Sequence, residues 1–178
     1  MVTIILAGGQ TGADQAAHRA ARDSGLLCAG WCPPDRSCDS GPIPGWIPVQ
    51  PTPCERSERA PDVSRSLRTE WNVRDSDATL IIRWIGAGDS RPADPGTEWT
   101  LTAANEYVRP VYALEVDMET NAQATLNDLI NWIRANDVRV LNIAGPSDCT
   151  APDAGPWTYE FLRKLFANSS PRPEDART

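Results

Sequence analysis

Two glycine-opened segments and one arginine-bearing helix hold the residue types that can grip an oxyanion. The first segment reads Gly8-Gly9-Gln10-Thr11-Gly12-Ala13-Asp14. Glycines let backbone N–H groups turn toward a ligand, and a helix that follows adds partial positive charge. Thr11 can donate its hydroxyl, Gln10 can bond a neighbouring group, and Asp14 suits the first turn of a helix. The spacing is neither a G-x-G-x-x-G fingerprint nor a Walker loop. The plain alternative is a tight turn with no ligand.

The second segment reads Asp94-Pro95-Gly96-Thr97-Glu98-Trp99-Thr100. Gly96 and Thr97 opening a helix repeat the anion logic. Asp94 as N-cap with Pro95 at the first helical position would be an ordinary helix start. Between the two segments, Arg65, Arg68, Asn72 and Asp75 fall on one helical stripe. It reads either as a solvated face or as an arginine reaching an anion, positioned by Asn72 or Asp75.

Other chemistries find little support. His18 is the only histidine, and a place on a helix surface is expected of it rather than catalysis. One histidine and five scattered cysteines without a CxxC do not make a zinc site. Cys32 and Cys38 lie in a proline-rich stretch and are weak candidates for a soft metal. No G-x-S-x-G occurs. We therefore assign no catalytic residue and no metal ligand.

Hydrophobic periodicity supplies the elements that must position these residues. Apolar runs at 2–7, 79–85, 110–116 and 138–144 predict buried strands, with a short one near 27–31. Helical spacing at 13–24, 61–75, 97–108, 120–136 and 156–167 predicts five helices. Strands alternating with helices predict an α/β fold, a Rossmann-like doubly wound parallel sheet of about five to seven strands with helices on both faces. Ligands of such sheets bind at the carboxyl ends of the strands. Those ends are residues 8–12, 85–97, 116–120 and 144–149. Eight of the sixteen prolines fall between Pro33 and Pro61. Residues 32–60 should be an ordered, irregular excursion within one domain spanning 1–167. Residues 168–178 read as a frayed polar tail.

Composition bounds the partners. The chain has 178 residues and a formal charge of −7, which argues against nucleic acid but permits one positive pocket. Only Lys164 among the 17 basic residues is lysine, and there are seven tryptophans. Arginine forks suit phosphate, and Trp31 or Trp99 could line a flat ring. Free thiols and the lack of a signal or long apolar stretch predict a cytoplasmic protein that meets no membrane.

Several motifs carry a resemblance. Residues 7–14, Gly30-Trp31-Cys32-Pro33, Gly41-Pro42-Ile43-Pro44, the run from Arg68 to Asp77, and Leu141-Asn142-Ile143-Ala144-Gly145-Pro146 together resemble the molybdenum cofactor carrier family. That family lies in the Rossmann-like SLOG/LOG superfamily. The resemblance covers about residues 2–166. It implies a homo-oligomer, dimer or tetramer, that holds the molybdenum cofactor (molybdopterin) or a related phosphorylated ligand. It also implies that Gly8, Gly9, Gln10, Thr11, Gly12, Gly96 and Thr97 form anion-binding loops. Arg68 stands nine residues before Asp77, the spacing of a ligand-site arginine in LOG phosphoribohydrolases. Where those enzymes carry a catalytic glutamate, this chain has Thr100, and Glu98 is about 200° round the helix. Binding by Arg68, Asn72, Gly96, Thr97 and Thr100 is therefore expected more than catalysis. The alternatives are a nucleotide-ligand sensor and a LOG-like nucleoside 5'-monophosphate phosphoribohydrolase using Glu70, Glu98 or Asp14.

Overall fold

In a computed structural model of the chain, which describes residues 1–85, 95–116 and 122–169, the apolar runs become a parallel sheet. Its strands are β1 (Ile4–Leu6), β2 (Leu27–Ala29), β7 (Ala78–Trp84), β8 (Val111–Val116) and β9 (Val140–Ala144). The order across the sheet is β2-β1-β9-β7-β8, all parallel. Counted from β9 as the first strand, that order becomes 3-2-1-4-5, five of the six strands of a Rossmann sheet. The crevice where the order reverses lies between β9 and β7.

The helices among the described residues are α1 (Ala13–Asp23), α2 (Ser66–Arg74), α3 (Pro95–Glu106), α4 (Ala122–Ala135) and α5 (Ala154–Ser169). Alanines 16, 17, 20 and 21 give α1 a small buried face, so α5 can pack closely beside it. Leu126, Leu129 and Ile133 of α4 and Phe161, Leu162 and Leu165 of α5 join Ile5, Leu80, Ile82, Leu141 and Ile143 in the main core. α2 and α3 pack on each other over the opposite face, around Val73, Trp99, Ala103 and Ala104. Strand residues of the other parity point there, among them Thr79 and Asn142.

Four short strands form in the excursion. β3 (Trp31–Cys32) pairs with β6 (Gln50–Pro51), and β4 (Ser37–Cys38) pairs with β5 (Gly41–Pro42) as a hairpin. Cys32, Cys38, Ile43, Ile47 and Val49 make a separate small core beneath them. The excursion is more regular than its prolines predict.

Some boundaries differ from the sequence expectation. The strand near 27–31 is two strands, because the chain crosses the end of β1 at Gly30. A β-carbon there would collide with the carbonyl oxygen of Ala7. The helix expected from Pro61 begins at Ser66. Arg65 adopts a left-handed conformation (φ 56°), which cannot lie inside a right-handed helix. α5 runs through Ser169 rather than stopping at 167. Asp94, most of the second glycine-bearing loop and most of the loop after Val116 lie outside the described residues.

Candidate functional site

Three elements meet where the sheet order reverses. Gly8 follows β1, Ala144 and Gly145 end β9, and Gly96 begins α3 after β7. α2 leans over them from the side. The result is a cavity of about 70 Å³ lined by Gly8, Asp14, Arg68, Thr69, Asn72, Gly96, Thr97, Thr100 and residues 142–145. Six of the ten residues expected to bind ligand therefore share one cavity.

Among the described residues, Arg68 is its only cationic lining residue. Its Nη1 donates to Asp14 Oδ2 at 3.0 Å, with the aspartate side chain 5% exposed. The same oxygen accepts the backbone N–H of Gln10 at 3.2 Å. Arg68 Nε is buried without a hydrogen-bond partner. A planar guanidinium at a cavity wall suits an oxyanion.

The remaining polar groups divide by what already holds them. Thr100 Oγ1 donates to Gly96 O at 2.8 Å. The Asn72 amide clamps β3: its Oδ1 accepts Trp31 N–H at 2.9 Å and its Nδ2 donates to Trp31 O at 3.0 Å. Asn142 is 3% exposed and its Nδ2 donates to Thr79 Oγ1 at 3.2 Å.

Gly9, Gln10, Thr11 and Gly12 stand beside the cavity rather than among its lining residues. Their hydrogen bonds are largely internal. Thr11 N–H donates to Gln10 Oε1 at 2.9 Å, and Ala13 N–H to Pro146 O at 3.1 Å. Thr11 Oγ1 accepts Asp148 N–H at 3.3 Å. Gly12 (φ 76°) allows this close approach, since a β-carbon there would meet the Pro146 carbonyl.

Other sequence candidates lie elsewhere. His18 is wholly buried, not on a helix surface. Its Nε2 is 3.1 Å from Ala7 O, and Nδ1 has no partner. Burial pushes its pKa below the usual value, against the Ala7 bond and the Asp14 charge that raise it. Trp99 is in the α2–α3 core with Nε1 bonded to Ser66 O at 3.0 Å. Trp31 packs edge-on against Trp71 and donates to Asp75 at 2.7 Å. Neither tryptophan lines the cavity. Glu70 faces away, taken by Ser57 and by the Tyr107 hydroxyl. Glu98 is exposed. Asp77 bonds the backbone N–H groups of Arg139 and Val140 at the opposite end of the sheet. Asn142 was missed. Its signal was a polar residue in an otherwise apolar central strand.

Among the described residues, no three His, Cys, Asp or Glu side chains cluster as metal ligands, and no helix is long and apolar enough to cross a membrane.

Residues 5–166 match the family described as circularly permutated YpsA SLOG. That description agrees with a strand order that becomes Rossmann-like when counted from β9. A crystal structure from Syntrophus aciditrophicus SB, named "Putative molybdenum carrier protein", is 32% identical. It covers 93% of this chain, 94% of its own length is covered, and the TM-score is 0.76. A search of curated proteins finds no match. The match over nearly the whole chain, the shared fold and the reversal-point cavity lead to one conclusion: the chain belongs to the circularly permutated YpsA SLOG family.

Proposed function

We propose that the protein is a carrier that holds a phosphorylated pterin-type ligand, the molybdenum cofactor or a close relative, at the carboxyl edge of the sheet. The observation that carries the reading is the Arg68 guanidinium, set at the wall of the cavity. A cavity of about 70 Å³ suits a phosphate-sized group and not a fused ring. The terminal phosphate would enter it, and the ring system would lie outside. Gly8, Gly96, Thr97 and Thr100 would border the phosphate, with Gln10 and Thr11 on the flank. The name of the solved relative supports the choice of cargo. By the same family likeness the chain would act as a homo-oligomer.

The cofactor, when bound, supplies a metal held by dithiolene sulfurs. The protein's part is to bind and shield it. Mass spectrometry of ligand released from freshly purified protein, with metal analysis of the same sample, tests the reading. A pterin phosphate with molybdenum is the expected result. A nucleotide without molybdenum overturns it in favour of a nucleotide-ligand sensor. A phosphoribohydrolase is less well supported, because Glu70 is engaged elsewhere, Glu98 is exposed and Asp14 is paired with Arg68.

A further inference from the structure

Two arginines three positions apart at the start of α2 are each held by a carboxylate from another element. Arg68 pairs with Asp14 of α1. Arg65 pairs with Asp39, its Nη1 lying 3.2 Å from Oδ1. Asp39 belongs to the two-residue tip of the β4–β5 hairpin. Its carboxylate also accepts Gln10 Nε2 at 2.8 Å. The Asp39 N–H donates to Gln10 Oε1 at 2.8 Å.

An arginine and a primary amide converging on one carboxylate are donors that recognise a small oxyanion. Here the anion is the protein's own. The two donors come from the first glycine loop and the start of α2, and both elements border the proposed ligand site. Gln10 joins the two seats: its backbone N–H goes to Asp14 and its side chain to Asp39. The second seat is accessible, with Arg65 and Asp39 side chains 27% and 29% exposed. Burial pushes the Asp39 carboxyl up, but Ser147, Gln10 and Arg65 together hold it below its ordinary value, so it is anionic near neutral pH.

We propose that Arg65 and Gln10 form a second anion seat beside the Arg68 cavity, which the Asp39 carboxylate plugs until a second anionic group of the ligand displaces it. The ligand would then carry two anionic groups, as a diphosphate does. This part rests on the reading of Arg68 as the first seat. Arg65 also borders an open cavity of about 310 Å³ with Pro33, Pro34, Asp35, Ser37 and Glu55. Its acidic members repel an anion, so the second group belongs on the Gln10 side. Displacement needs only a turn of the Asp39 side chain, because Cys38 beside it stays anchored in the small core.

The test is calorimetric titration of the full chain with inorganic pyrophosphate and, separately, inorganic phosphate. Asp39→Asn keeps an acceptor for Gln10 and removes the competing charge. It should tighten pyrophosphate binding about fivefold or more, with a smaller effect on phosphate. Arg65→Met in the Asp39→Asn background should cancel the gain. Asp39→Gly, which removes the plug outright, should repeat it. Pyrophosphate affinity unchanged in both Asp39 variants, or a gain that survives Arg65→Met, overturns the plug. Arg68→Met separates the two readings. If it leaves phosphate binding intact, the first seat fails. If phosphate binding is lost while the Asp39 and Arg65 effects on pyrophosphate are absent, only the plug fails.

Discussion

The guanidinium of Arg68 lies against the backbone of Gly8, in the space that a β-carbon on residue 8 would occupy. Residue 8 therefore sets where the cation sits. The atoms in the way are the mobile ends of Arg68 and Asp14, so a methyl group there moves the ion pair without breaking the strand. Gly8→Ala should weaken ligand binding about tenfold, as measured by calorimetry. Its thermal midpoint should stay close to that of the parent.

Arg68→Ala and Thr97→Ala should each weaken binding of the released ligand while the protein remains folded. Arg68 should cost more, since a charge-assisted bond is lost. Calorimetric affinity unchanged in both variants removes the site assignment.

Stability should fall as pH drops below about 6.5. His18 is buried and neutral, and burial pushes its folded pKa below the ordinary histidine value. The unfolded chain takes up a proton as pH falls through 6.5, and the native state does not. Unfolding therefore gains from acid in that window, above the range where carboxylates titrate. Urea midpoints at several pH values between 7.5 and 5 should show the slope. The slope should be absent in His18→Gln, even if that variant is less stable throughout.

Asn72→Ala leaves both backbone groups of Trp31 without their partner. A loss of about 1–3 kcal/mol is expected, read from the denaturation midpoint. Asn72→Asp keeps the acceptor for Trp31 N–H but loses the donor to its carbonyl, so it should lie between the two. Equal stability of all three proteins would show that the clamp contributes nothing.

Incubation of concentrated protein with AMP should release no free adenine, by chromatography. Release that survives Glu98→Gln but stops in Asp14→Asn would make the chain a phosphoribohydrolase with Asp14 as its acid or base.

The sheet and its helices could be read from periodicity because their residues face one environment each. Ala17, Leu129 and Leu165 lie on one buried side of a helix, and Ile5, Leu80 and Leu141 fill the core between helix and sheet. What periodicity cannot carry is a backbone conformation set by contacts far along the chain. Arg65 turns left-handed and starts α2 late, with no proline or glycine at that position to announce it. The order of the strands was also hidden, since adjacency of β9 with β1 and β7 is decided by packing and not by local pattern.

At the site, Arg68 and the two glycine-opened helices were legible from their types and spacing. The partners were not. That Asn72 holds Trp31, or that Gln10 faces Asp39 across 29 residues, follows from a fold already formed. His18 misled because a titratable side chain on a helix is usually exposed. Here its side chain is wholly buried, and one backbone carbonyl serves one of its nitrogens.

The excursion's apolar cluster of Cys32, Cys38, Ile43, Ile47 and Val49 stands apart from the main core. Polar contacts at Asn72, Gln10 and Arg65 help tie the excursion to the rest. Five side chains bury far less surface than the sheet does. The rim of the site is therefore expected to open as its own cooperative unit, at a lower free energy than global unfolding. Two of those five side chains are thiols, so the rate at which Cys32 and Cys38 react with a probe is a clock for that opening while the sheet beneath stays closed.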